Sequence, residues 1–144
     1  MIEPDTIKLL RECDAGIKMG VKSIDDVLSH VKSPKLLELL QTCRNRHEEL
    51  DQKLQQLLEQ YGDDGKAPSF LAEKMAAMKT GMKLGLDDAD DTVADLMTDG
   101  CNMGVKSLSR YLNQYAAADE TSKDITKKLI ELESRLAVDM RDFL

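Results

Sequence analysis

The sequence predicts an all-α protein: a four-helix bundle of two repeated helical hairpins, with an extra connecting helix in the crossover between them. Three observations carry this expectation. Apolar residues recur at steps of three and four over long stretches, the period of an amphipathic helix. Trp is absent, with three Tyr, two Phe and three Pro, so Leu, Ile, Val and Met fill the core and helices are favoured over strands. The string MGVKS occurs twice, at Met19–Ser23 and Met103–Ser107, at the same place in two matching stripes. The expected layout is one domain, with hairpin 1 at about 5–60, a linker and connecting helix at about 61–86, and hairpin 2 at about 88–143.

The first stripe runs Ile7, Leu10, Cys13, Ile17, Val21, Ile24, Leu28, Val31 and ends before KSPK, where Ser33 can cap and Pro34 can open the next helix. The second is Leu36, Leu39, Cys43, His47, Leu50, Leu54, Leu57, followed by the polar break YGDDGKAPS. A shorter helix from about Ser69 to Gly85 carries Leu71, Met75, Met78 and Met82 on one side. LDDADDT supplies an acidic start, suited to the helix dipole, for the stripe Val93, Met97, Cys101, Val105, Leu108, Leu112, Tyr115. After the turn AAADETS, the last helix carries Ile125, Leu129, Leu132, Leu136, Met140 and Phe143.

The two MGVKS copies extend outward, with Gly16 matching Gly100, Ile24 matching Leu108 and Leu28 matching Leu112. On a helical wheel centred on Ile17, the small residues Gly16, Gly20 and Ser23 form one edge. Gly100, Gly104 and Ser107 form the corresponding edge in the second copy. Each glycine costs about 1 kcal/mol relative to Ala inside a helix, so something must compensate. The expectation is close contact between helices one and three along these edges. Met19 and Met103 fall on the opposite side. They are read either as shared ancestry under partial cover by Lys, or as contacts to the connecting helix or a second subunit.

Two hairpins joined by a long crossover give the ferritin-like form of four-helix bundle, which raises the question of a di-iron centre. Such a site takes an inward Glu from each of two helices and a Glu-x-x-His pair from each of the others. The chain has two His, preceded three residues earlier by Val27 and Arg44, so no Glu-x-x-His exists. Ile17 and Cys101 occupy the inward centres where carboxylates belong, and Glu133 is followed three later by Leu136. No metal or other cofactor is expected. The remaining candidate ligands are His47, Glu133, Cys13, Cys43 and Cys101; the cysteines also read as small core hydrophobes, and His47 as a core-edge histidine. No P-loop, GxSxG, dinucleotide fingerprint or EF-hand spacing is present.

A net charge of −7 argues against nucleic acid as a partner, because phosphate binding needs a basic face. No apolar run reaches the roughly 20 residues of a membrane span. MIEPDTIKLL lacks the basic start and apolar centre of a secretory signal, and three Cys without CxxC spacing suit a reducing compartment. The expectation is a cytoplasmic, non-enzymatic protein that acts by interaction, as a homodimer or with an unknown protein partner. The alternative is a divergent metal or thiol-redox protein using His47 and the core cysteines. The Met-rich face of Met75, Met78 and Met82 is the candidate partner surface.

With the stripes, repeat and crossover in view, the chain resembles rubrerythrin-related, ferritin-like bacterial proteins. DLMTDGCNMGVKSLSRYLNQY and KKLIELESRLAVDMRDFL resemble an uncharacterised ferritin-like family found mainly in Firmicutes. The resemblance implies the fold over nearly the whole chain and implies no activity. Of the superfamily's metal ligands, only His47 and Glu133 stand at corresponding positions, without their partners.

Overall fold

The computed structural model describes residues 2–68, 77, 80, 81, 84, 85 and 89–144. The long helices are α1 (Pro4–Leu28), α2 (Pro34–Gln60), α3 (Asp90–Gln114) and α4 (Glu120–Met140), with a 3-10 turn at Arg141–Phe143 and no strand among the described residues. Local chemistry sets the boundaries. Ser33 caps α2 by accepting from Leu36 N at 3.3 Å ahead of Pro34, and Asp119 caps α4 by accepting from Ser122 N at 2.8 Å. α2 ends in a Schellman turn: Gly62, at φ +67°, lets Asp63 N donate to Leu58 O (2.8 Å) and Gly62 N to Glu59 O (3.0 Å).

Side chains at the helix starts fix the topology. Thr6 Oγ1 accepts from Asp119 N at 2.9 Å and Asp5 Oδ2 from Ala117 N at 3.1 Å, so α1 begins beside the α3–α4 turn. At the other end, the Asp90 carboxylate accepts from Lys32 N (2.7 Å) and Ser33 N (3.0 Å), so α3 begins beside the α1–α2 turn. α1 and α4 therefore run one way, α2 and α3 the other. α1 packs on α2 and α3, α4 packs on α3 and α2, and α1 also meets α4 across the bundle. The end of α2 and the start of α3 lie at opposite ends, so the crossover must travel the length of the 27-residue α2, about 40 Å.

The first part of that crossover is tied to α1. Arg11 forks onto the Asp63 carboxylate, with Nε at 3.0 Å from Oδ2, and Lys66 Nζ reaches Glu12 Oε1 at 2.6 Å. Beneath these lies Asp14, fully buried, accepting from Lys66 N, Lys18 Nζ and Gln55 Nε2, each at 2.9 Å. Gly65, at φ +78°, brings the chain so close that a Cβ there would overlap the Asp14 carboxylate. Further along, described residues 77, 80, 81, 84 and 85 are helical, and Leu84 is buried with Ile24, Val27, Leu36 and Val93. The candidate surface Met75, Met78 and Met82 lies outside the described residues.

The buried face of α2 is Leu36, Leu40, Cys43, His47, Leu50, Leu54 and Leu58; Leu40 and Leu58 replace the expected Leu39 and Leu57, which are half-buried. Steps alternating four and three from Leu36 to Leu54, with a further four to Leu58, keep one seam inward, as in coiled-coil packing. α4 follows the same steps through Ser122, Thr126, Leu129, Glu133, Leu136 and Met140, which leaves the expected Leu132 half-buried. The core has two parts. One, built on Ile24, Leu36, Leu40, Val93, Met97 and Met140, lies towards the α1–α2 turn. The other, built on Leu10, Ile17, Leu54, Leu58, Leu108 and Leu129, lies towards the start of α1. No helix among the described residues is long and apolar enough to cross a membrane.

Candidate functional site

Between the two apolar clusters lies a single polar layer. His47 of α2 is 1% exposed and Glu133 of α4 is 7% exposed, and their Nε2 and Oε1 face each other at 3.8 Å. His47 Nδ1–H donates to Cys43 O at 2.8 Å, with Cys43 Sγ 3.6 Å from the same nitrogen. Among the described residues, His47 Nε2 and Glu133 Oε2 find no hydrogen-bond partner. The two residues hold corresponding places: Ser33 to His47 and Asp119 to Glu133 are the same fourteen-residue span from cap to side chain.

The MGVKS glycines make room for this pair. A Cβ on Gly20 would stand 2.9 Å from His47 Nε2 and 3.2 Å from Cδ2. A Cβ on Gly104 would overlap Glu133 Oε2 and stand 2.8 Å from its Cδ. A Cβ on Gly16 would have ordinary room, with Leu129 and Leu108 at 3.6 and 3.7 Å, and one on Gly100 would meet nothing within 4 Å among the described residues. The expected compensation, backbone against backbone along Gly16, Gly20, Gly100 and Gly104, is therefore replaced by another. The nearest atoms to Gly16, Gly20 and Gly104 belong to side chains, and two of these glycines leave the space that two polar side chains fill. Ser23 and Ser107 are half-buried. Met19 is half-buried and Met103 is 69% exposed.

The pair holds protons tightly. Burial opposes charge on His47, but Cys43 and the facing Glu133 carboxylate outweigh it and push its pKa up to about 10. Burial raises Glu133 above the usual carboxylate range, against the opposing pull of His47. Both directions mean that near neutral pH the pair retains a proton that the unfolded groups would largely release.

The cysteines separate into distinct environments. Cys13, fully buried in the other cluster, has Sγ 3.1 Å from Thr126 Oγ1. Thr126 donates its proton to Ser122 O at 2.8 Å, so Cys13 S–H is the donor to Thr126. Burial raises the Cys13 pKa to about 11 despite that bond. Cys101 lies with Cys43 in the first cluster, and burial, then the charges of Glu133 and Cys43, push its thiol up. Cys43, 6% exposed, also lines a surface groove between α2 and α4, with Arg46, Leu132, Arg135 and Asp139.

This donor set does not fit a di-iron centre. One carboxylate and one imidazole, its second nitrogen committed to a backbone carbonyl, face the middle, while Ile17 and Cys101 occupy the other two helices. Among the described residues no group of three or more His, Cys, Asp or Glu is placed to hold a metal ion. The buried Asp14 was not visible as a site residue. It follows Cys13 in the first stripe, and only Lys18 one turn later hints that its carboxylate has a partner. Comparison with family models, with curated proteins and with solved structures finds no match.

Proposed function

We propose that the chain is a ferritin-like bundle, built from two repeated hairpins and related to rubrerythrin-type proteins, that has lost di-iron chemistry and acts non-enzymatically through protein interaction as a homodimer. The observation that carries this reading is the sealed His47–Glu133 layer across the middle of the core. A reaction centre there would need open ligands and an entry path, whereas Gly20 and Gly104 give up their Cβ atoms so that two protein side chains fill the space. The internal repeat is supported by more than MGVKS. Thr6 receives the amide of Asp119 as Asp90 receives that of Ser33, which relates the two hairpins by one exchange. Three unpaired, buried cysteines suit a cytoplasmic location.

The test is elemental analysis of protein purified without chelators, together with light scattering of the same sample. The reading expects substoichiometric iron and manganese and the mass of a dimer. Two tightly bound transition-metal ions per chain would overturn the loss of metal chemistry, and a monomer at micromolar concentration would overturn the dimer.

A further inference from the structure

We propose that two copies of this chain pair through their α2–α4 faces, antiparallel, about a twofold axis that crosses the helices at the depth of His47 and Glu133. This face is the interface that the homodimer reading requires, and its assignment rests on that reading. Two contiguous grooves run between α2 and α4 and share Arg46, Leu132 and Arg135. Leu39 and Leu132, which the core leaves half-buried, stand in their walls. The crossover lies elsewhere: Asp63 and Lys66 are held by α1, Leu84 packs with Ile24, Val27, Leu36 and Val93, and among the described residues none of the crossover lines these grooves.

The charges on this face form rungs of alternating sign. Because α2 and α4 run in opposite directions and His47 faces Glu133, a step up α2 from His47 matches a step down α4 from Glu133. Glu38 and Asp139 make an acidic rung at one end, and Arg46 and Arg135 the basic rung after it. Glu49 and Glu131 follow as an acidic rung, and Lys53 and Lys128 close the other end as a basic one. All eight are exposed except Asp139, which is half-buried. The ion pairs printed along α4, Arg135 with Glu131 at 3.7 Å and Lys128 with Asp124 at 3.0 Å, are surface contacts of the kind that contributes little and exchanges readily. In a chain of net charge −7 this face thus carries four cations and four anions, so two copies can meet here without the repulsion of the whole molecule.

The order of the rungs selects the orientation of the second copy. A twofold axis along the helices lays α2 over α4 of the other copy at equal depth, so every rung meets one of its own sign. An axis across the helices reverses the order instead, and every rung meets its opposite. Arg46 then faces Glu49 of the second copy and Glu38 faces Lys53, while on α4 Arg135 faces Glu131 and Asp139 faces Lys128. Each of these four pairs is centred within two residues of His47 or Glu133, so a single axis serves them all. Exposed ion pairs add little affinity, whereas opposed like charges are costly. Burial of Leu39 and Leu132 therefore holds the copies together, and the charge order fixes their direction.

The experiment combines light scattering of the full chain with zero-length carbodiimide cross-linking and peptide mass spectrometry. Glu38 and Lys53 stand about 22 Å apart along α2, and Lys128 and Asp139 about 16 Å apart along α4, so a direct amide within either pair must join two copies. The expected result is a dimer that carries both amides. Arg46→Glu with Arg135→Glu should weaken self-association by roughly a hundredfold, and so should Glu49→Arg with Glu131→Arg, because each opposes like charges across the axis. Mixed in equal amounts, the two variants should form a dimer again, which neither could do unless folded. A dimer that lacks both amides, or that neither variant weakens, would overturn this interface and leave the homodimer reading intact. A monomer at micromolar concentration would overturn both.

Discussion

Alanine at two glycines of α3 should have opposite effects. At Gly100 a Cβ meets nothing within 4 Å, so Gly100→Ala gains only helix propensity, about 1 kcal/mol. At Gly104 the same Cβ overlaps the Glu133 carboxylate, which must leave its place facing His47. Driving that carboxylate away separates a buried pair, a loss of about 3–5 kcal/mol. Set against the same propensity gain, Gly104→Ala should destabilise by about 2–4 kcal/mol. Urea unfolding followed by circular dichroism should therefore separate the two variants by on the order of 1–2 M in midpoint at similar slope. Adding Glu133→Ala should rescue Gly104→Ala in part, since the truncated side chain no longer occupies the Cβ position. Equal stability of the two alanine variants would refute the account of why Gly104 is glycine.

Other consequences can be measured directly. His47 has a folded pKa of about 10 against an ordinary 6.5, so its contribution is full below pH 6.5 and is lost as pH rises towards 10. That difference bounds the loss at roughly 5 kcal/mol; His47→Gln should flatten stability over pH 7–10 relative to the parent, and a parallel pair of curves would exclude the protonated pair. Asp14→Ala removes the acceptor of the Lys66 amide and of Lys18, while Gln55 keeps Asp51, and should cost about 2–4 kcal/mol, with faster hydrogen exchange at Lys66; unchanged exchange there would remove Asp14 as the anchor of the crossover. Asp90→Ala should cost about 1 kcal/mol and expose the Lys32 and Ser33 amides to exchange, whereas protection retained at both would show that the α1–α2 turn does not depend on α3.

What could be read from the chain follows the range of the forces involved. Helix periodicity and caps are local, so Ser33, Pro34 and the stripes placed α1, α2, α3 and α4 to within a few residues. Which leucine of a pair is buried depends on the neighbouring helix, so Leu39 and Leu57 gave way to Leu40 and Leu58. His47 and Glu133 were each recognisable as candidates, but their meeting joins positions on opposite hairpins, and no local pattern states it. Equal spans from the two caps would have been the usable signal. Asp14 left even less trace, because its ligands come from a helix turn, a distant glutamine and a crossover amide.

The glycines show how an argument from cost can be right while its remedy is wrong. Two glycines in the middle of a helix do need compensation, and a neighbouring backbone is the usual source of it. Here the compensation at Gly20 and Gly104 is the volume of an imidazole and a carboxylate. That arrangement is not the most stable way to fill a core, since an apolar pair of similar volume avoids the cost of burying charge. It does impose register. His47 and Glu133 can face each other only when α2 and α4 are aligned in depth, and each fits only opposite the glycine of α1 or α3 at that same depth. A sliding error of one turn would bury each polar group against leucine instead. The layer thus ties the alignment of the hairpins to the one position where the core contains both halves of an ion pair.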